Sequence, residues 1–231
     1  MMKVKIQLII CLMCILNISY AQKELPLNNA IYDNQIYHFG FTIGVSNTKF
    51  QIQYGDLFTQ QTDFEQILSK YQPGFNVGII MDLKIGKNNN LRITPSFNFT
   101  DQKLYFITKN IENTYPTNNT GVSNFEIPIY LKYRSNRINN GRAYLLFGGN
   151  FMIDMSASEQ LSQSENIEFY KTNYSIDIGF GVDIYFAYFK FSPEIKYSYG
   201  LRNMLINQEN QYNDVINALS TRGILISLTF E

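Results

Sequence analysis

NYSIDIGFGVDIYFAYFKFSPEIKYSYG, residues 173–200, is two long alternating segments with almost nothing between them. In the first arm Tyr174, Ile176, Ile178, Phe180, Val182, Ile184 and Phe186 share one face. Ser175, Asp177, Gly179, Gly181, Asp183 and Tyr185 share the other. A period of two is a strand. In the second arm Phe189, Phe191, Ile195, Tyr197 and Tyr199 oppose Lys190, Ser192, Glu194, Lys196 and Ser198, across a turn at Ala187 and Tyr188. Strands of globular domains usually run about five or six residues, whereas a tilted strand crosses a bilayer in roughly nine to eleven. Each arm is long enough to cross, so the hairpin predicts a transmembrane β-barrel.

The rest of the chain repeats the pattern. Alternation predicts strands over residues 36–45, 74–85, 91–107, 122–133 and 142–154, then the two arms above, then 221–230. That makes an eight-stranded antiparallel transmembrane β-barrel of the outer-membrane type over residues 36–231. The connections alternate long and short, beginning with the long 46–73 and including the tight turn Gly86-Lys87-Asn88-Asn89-Asn90. Outer-membrane barrels have this asymmetry, with short periplasmic turns, longer outer loops and both termini on the periplasmic side.

Composition excludes several classes. With 45% hydrophobic and 16% charged residues the chain is not disordered, and 19 basic against 19 acidic residues give no basis for binding nucleic acid. Lys3 and Lys5, the apolar run over residues 6–18 and the ending Ser19-Tyr20-Ala21 predict an export signal over residues 1–21, cleaved after Ala21. The apolar run is shorter than the roughly 20 residues of a spanning helix, which weighs against an uncleaved anchor. Cys11 and Cys14 both lie in this signal, so the mature chain has no disulfide and no thiol nucleophile. Residues 22–35, with Pro26 and several asparagines, read as an unstructured periplasmic lead.

Alternation alone does not say which face is inside, and a soluble lipocalin-like barrel would turn its apolar side inward. Here the apolar face is too rich in Phe, Ile, Leu and Tyr for the inside of eight strands. The polar face carries Asp82, Glu126, Asp177, Asp183 and Glu194 against Lys84, Arg92, Lys132, Lys190 and Lys196, the expected lumenal charge network. Tyr37, Tyr133, Tyr174, Tyr188 and Tyr199 near strand ends suit interfacial belts. Pro95, Pro128 and Pro193 fall inside strands, where a missing N–H predicts bulges, each shifting the inward–outward parity by one.

No metal-ligand spacing, phosphate loop or nucleophile motif is present, and neither a cofactor nor a small-molecule substrate is expected. His38 is the only histidine and reads as structural. Eight strands leave no aqueous channel. The remaining features are two stretches with helical spacing, Phe64, Ile67, Leu68 and Tyr71 behind the possible cap Asp63, and Tyr212, Val215, Ile216 and Leu219. They either fold over the barrel mouth or offer apolar faces to a partner protein.

DLKIGKNNNLRITPSFNF (residues 82–99), EIPIYLKYRSNRINNGRAYLLFGGNF (126–151), FKFSPEIKYSYGL (189–201) and the closing LTFE resemble the PorT family, outer-membrane proteins of the type IX secretion and gliding-motility machinery of Bacteroidetes. The likeness covers most of the expected mature chain, the three in-strand prolines included. It implies a non-enzymatic component needed for protein secretion, embedded in outer-membrane lipid and acting through contacts with other secretion-system proteins. Read without the resemblance, the barrel also suits a small adhesin or surface-protection protein, and less well a lipid-modifying enzyme.

Overall fold

The computed structural model describes residues 26–55, 64–108, 111–155, 169–206 and 215–231. The expected signal, residues 1–21, lies outside them. After a 3₁₀ turn at Ala30–Asn34 come β1 (Tyr37–Tyr54), β2 (Phe64–Ser69), β3 (Gln72–Lys84), β4 (Asn89–Ile93), β5 (Ser96–Thr108), β6 (Ile111–Arg134), β7 (Gly141–Asp154), β8 (Thr172–Tyr185), β9 (Lys190–Gly200) and β10 (Ile216–Phe230). β1 pairs with β10 on one side and β3 on the other, so the antiparallel sheet closes on itself. β4 and β5 are two pieces of one wall strand. β2 continues the line of β3 along β5, with Ser69 facing Leu104 and Gly74 facing Thr100, so these two are also pieces of one wall strand, which makes a ring of eight. Glu231 and the short turns at 85–88, 135–140 and 186–189 lie at one end, called here the near end.

The apolar alternate residues point outward. Phe39, Phe41, Ile79, Phe147 and Ile178 are all more than half exposed, while Thr42, Asn76, Arg92, Lys132, Asp177 and Glu194 on the opposite face are buried. This is the inverse of a soluble barrel and fits a wall solvated by hydrocarbon. Tyr37, Tyr133 and Tyr188 are exposed at the near end, and Tyr174 and Tyr199 toward the far end.

The prolines do not bulge the sheet. Met81 faces Ile93 and Gly78 faces Ser96, so β3 keeps one register across Thr94 and Pro95. Pro128 pairs with Asn150 and Pro193 with Leu228 in unbroken ladders. What yields instead is a ladder pair: β8 and β9 skip the contacts opposite Ser192 and Pro193, then resume at Ile184 and Phe191 in the same register. A missing N–H thus costs a local bond and leaves the parity intact. The register shifts lie at the far end, as at Gln53/Tyr54 and Gln102/Leu104.

Several strands outrun the bilayer. At about 3.3 Å per residue the 24 residues of β6 extend on the order of 80 Å, against a hydrocarbon layer of about 30 Å. β5 and β6 cover much of residues 108–121, the connection left between two expected strands, with residues 109–110 outside the described ones. Both expected helices are corrected: Phe64 to Ser69 form β2, and Ile216 and Leu219 belong to β10, while Tyr212 lies outside the described residues. Four residues of those apolar faces are not free for a partner. Ile67, Val215, Ile216 and Leu219 are buried with Phe50, Leu104 and Leu205 in one cluster that caps the far end. The Phe50 ring stacks on Phe169 at 5.4 Å, and the Phe50 N–H donates to the Ser69 hydroxyl. Leu68 is half-buried, and exposed Tyr71 lies under the Lys49 ammonium.

Candidate functional site

The lumen gathers buried ionisable side chains from many strands, because period two turns every second residue of each strand inward. At its near half the guanidinium of Arg92 is the hub. Its Nε and Nη2 donate to Asp82 Oδ2 at 3.0 and 2.8 Å, Nη1 to Glu194 Oε1 at 2.6 Å, and Nη2 also to Glu231 Oε1 at 2.7 Å. Lys132 reaches Asp183 at 3.0 Å, Lys190 reaches Glu231 at 2.9 Å and Asp183 at 3.8 Å, and Lys196 reaches Glu194 at 2.9 Å. The Tyr144 hydroxyl donates to Glu194 at 2.6 Å, and its ring lies 3.7 Å beneath the Lys132 ammonium. Gly181 makes room for that ring, since a Cβ there would stand 2.4 Å from the Tyr144 hydroxyl oxygen. All these ionic groups are buried, so each charge depends on its partners.

The expected unstructured lead is a wedge that closes this half. Tyr32, on the 3₁₀ turn, is buried in the mouth; its hydroxyl accepts from Lys190 and donates to Glu231, both at 2.6 Å. Burial, then the Glu231 charge, push the Tyr32 phenol far above its ordinary value. The Tyr32 ring stacks on His38 at 3.9 Å, and His38 Nε2 bonds the Tyr32 carbonyl at 2.8 Å. Asp33 next to it takes Arg137 at 3.1 Å and Arg142 at 2.8 Å. Burial alone would raise the Asp33 carboxyl; Arg142 and Arg137 together outweigh it and hold it below the usual carboxylate range. Asn28, Asn140 and Tyr185 add hydrogen bonds that pin the wedge to the turns.

Of the ten charges expected in the lumen, seven belong to this ionic plug: Asp82, Arg92, Lys132, Asp183, Lys190, Glu194 and Lys196. Lys84 does not, since it is half-buried at the mouth and donates to the Asp33 carbonyl. Glu126 and Asp177 are buried beyond the plug and take no ion pair among the described residues. Glu126 accepts from the amides of Asn98 and Asn150 at 2.8 and 3.2 Å. Asp177 accepts from the hydroxyls of Tyr130 and Ser175 at 2.7 and 2.8 Å. Around these two, between plug and cap, lies a cavity of about 560 Å³.

Residues 20–205 match the family model described as the outer membrane protein beta-barrel domain. The chain belongs to that family. An outer-membrane barrel sits in a bacterial outer membrane, which is the hydrocarbon solvent its outward phenylalanines and isoleucines require. No curated protein matches the chain in sequence. Solved barrels similar to it in shape include Neisserial surface protein A, at 14% identity and TM-score 0.42, covering 84% of this chain and 98% of that one. OprG from Pseudomonas aeruginosa is similar at 11% identity and TM-score 0.44, covering 84% and 93%. Ail, the attachment invasion locus protein of Yersinia pestis, is similar at 11% and 0.35, covering 85% and 98%. Likenesses this loose add nothing to the fold already derived from the strand pairings.

The outer-membrane barrel domain also uses residues that sequence reasoning missed: Glu231, Tyr32, Tyr144, Asp33, Arg137 and Arg142. Parity could have found Glu231, because it shares the inward row of Ser227 and Thr229. The Tyr32 wedge carries no such signal, because the partners of its hydroxyl, Lys190 and Glu231, are more than a hundred residues away.

Proposed function

We propose that this barrel is a non-enzymatic component of the type IX protein secretion and gliding-motility machinery, acting through contacts with other proteins of that system. The observation that carries the reading is the ionic plug: Arg92, Asp82, Glu194 and Glu231 fill the near half of the lumen, with Tyr32 wedged below. A barrel closed in this way is poorly suited to pass cargo itself, so its contribution comes from its surfaces. The sheet that β5 and β6 carry beyond the bilayer offers such a surface. The resemblance of residues 82–99, 126–151 and 189–201 to the PorT family supplies the pathway. In this reading the termini and the plug face the periplasm, and the capped sheet faces outward.

Deleting the gene in the source bacterium should strand secreted cargo in the periplasm and stop surface spreading, with both restored by the full chain. Normal secretion in the deletion strain refutes the role, and loss of surface attachment alone would assign the barrel to adhesion. For the lipid-modifying alternative, His38 is the residue to test. His38→Ala should keep full secretion, because the ring is buried against Tyr32.

A further inference from the structure

Of the six buried carboxylates in the lumen, Asp82, Asp183, Glu194 and Glu231 each have a cation within 4.0 Å. Glu126 and Asp177 have none among the described residues, and both line the cavity between plug and cap. Lys196, the buried ammonium in that wall, is already held by Glu194 at 2.9 Å. Asp154, Lys171 and Arg222 line the cavity too, toward the cap. Two polar atoms of the cavity wall are buried with no hydrogen-bond partner among the described residues: Asn150 Oδ1, on the amide that donates to Glu126, and the Thr42 hydroxyl. An uncompensated carboxylate removed from water is costly, and an entering cation relieves that cost.

We propose that this cavity binds a small hydroxyl-bearing primary amine, its ammonium seated on Glu126 with Asn150 Oδ1 accepting a second N–H. An ammonium brings three donors and no acceptor, which suits a carboxylate holding only neutral donors and an amide oxygen holding none. Short amides and hydroxyls line the remaining wall, among them Asn76, Ser96, Asn124 and Thr100, and these pair with hydroxyl groups in either direction. About 560 Å³ is room for one sugar-sized solute. This inference stands apart from the secretion reading and departs from the expectation that no small molecule is bound.

The test uses the refolded full barrel in lipid nanodiscs, titrated with D-glucosamine and with D-glucose at a pH where the amine is protonated. The two probes differ only in the amino group, so their ratio reads the carboxylate and not the size of the cavity. Glucosamine should saturate and shift the amide signals of residues 124–127 and 150, with glucose about tenfold weaker or more. Glu126→Gln should erase the preference and leave the heat-modifiable mobility of the folded barrel unchanged. Asp177→Asn, which neutralises the second carboxylate, should reduce it several-fold, and serves if the first variant fails to fold. Equal affinity for the two sugars, an undiminished preference in a folded variant, or no saturation in the millimolar range would overturn the proposal.

Discussion

The near and far halves of the lumen are built by the same alternation from the same strands, yet they meet burial in opposite ways. In the near half every carboxylate has a guanidinium or an ammonium, and the side chains fill the space around Arg92. In the far half two carboxylates hold only neutral donors, and a cavity remains. Inside a barrel, then, charge pairing and filling go together: a long cation that reaches a carboxylate also occupies the volume between strands. Where Asn, Ser and Thr replace Arg and Lys, the wall is satisfied piecemeal and the middle stays empty.

Breaking the hub should give the largest effect. Arg92→Ala leaves Asp82, Glu194 and Glu231 without their shared guanidinium, a loss of about 3–5 kcal/mol read as a lower urea midpoint in nanodiscs. The cap gives a comparable but local effect. Phe50→Ala should cost about 3 kcal/mol and raise amide exchange in β2 and the outer part of β10, with β8 and β9 beside the plug unchanged. A matched pair of isosteric changes then sharpens the comparison. Asp183→Asn strips Lys132 of its only carboxylate within ion-pair distance among the described residues and should lower the midpoint, by about 3 kcal/mol. Glu126→Gln removes an unpaired charge and should leave the midpoint unchanged or raise it. Equal losses from both would erase the distinction between the halves.

The smallest effect is one of pH, at the mouth. Because the Asp33 carboxyl is held below its usual range when folded, its contribution is present above the unfolded value of about 3.9 and is lost as pH falls through the lower folded value. Acidification below about pH 4 should therefore loosen the wedge before the wall, seen as protease access to residues 26–36. Asp33→Asn should make that access independent of pH across the same window.

The lipid-facing wall was legible because hydrocarbon imposes one rule on every strand, and β7, β8 and β9 end within about a residue of where alternation places them. Legibility failed at the far end for a definite reason. On β1 the outward row runs Phe41, Ile43, Val45, then Asn47, Lys49, Gln51, while the inward row runs Thr42, Gly44, Ser46, Thr48, then Phe50, Ile52. The pattern inverts after Val45, so a strand of 18 residues reads as ending there. Phe64, Ile67, Leu68 and Tyr71 mimic a helix because spacing within one short segment does not distinguish β2 beside β5 from an isolated turn. The charge network was half-legible: parity puts charges inside but does not say which of them meet, and Lys84, Glu126 and Asp177 have no place among the pairs.

That inversion along β1 means one polypeptide segment obeys two opposite solubility laws within its own length. Below Val45, exchanging an outward apolar side chain for a charged one offends the lipid; a few residues higher the same exchange meets water and is harmless, while greasiness becomes indispensable on the opposite row, at Phe50 and Ile52. A substitution scan down β1 would mark the height of the membrane boundary as the residue where tolerance changes sign.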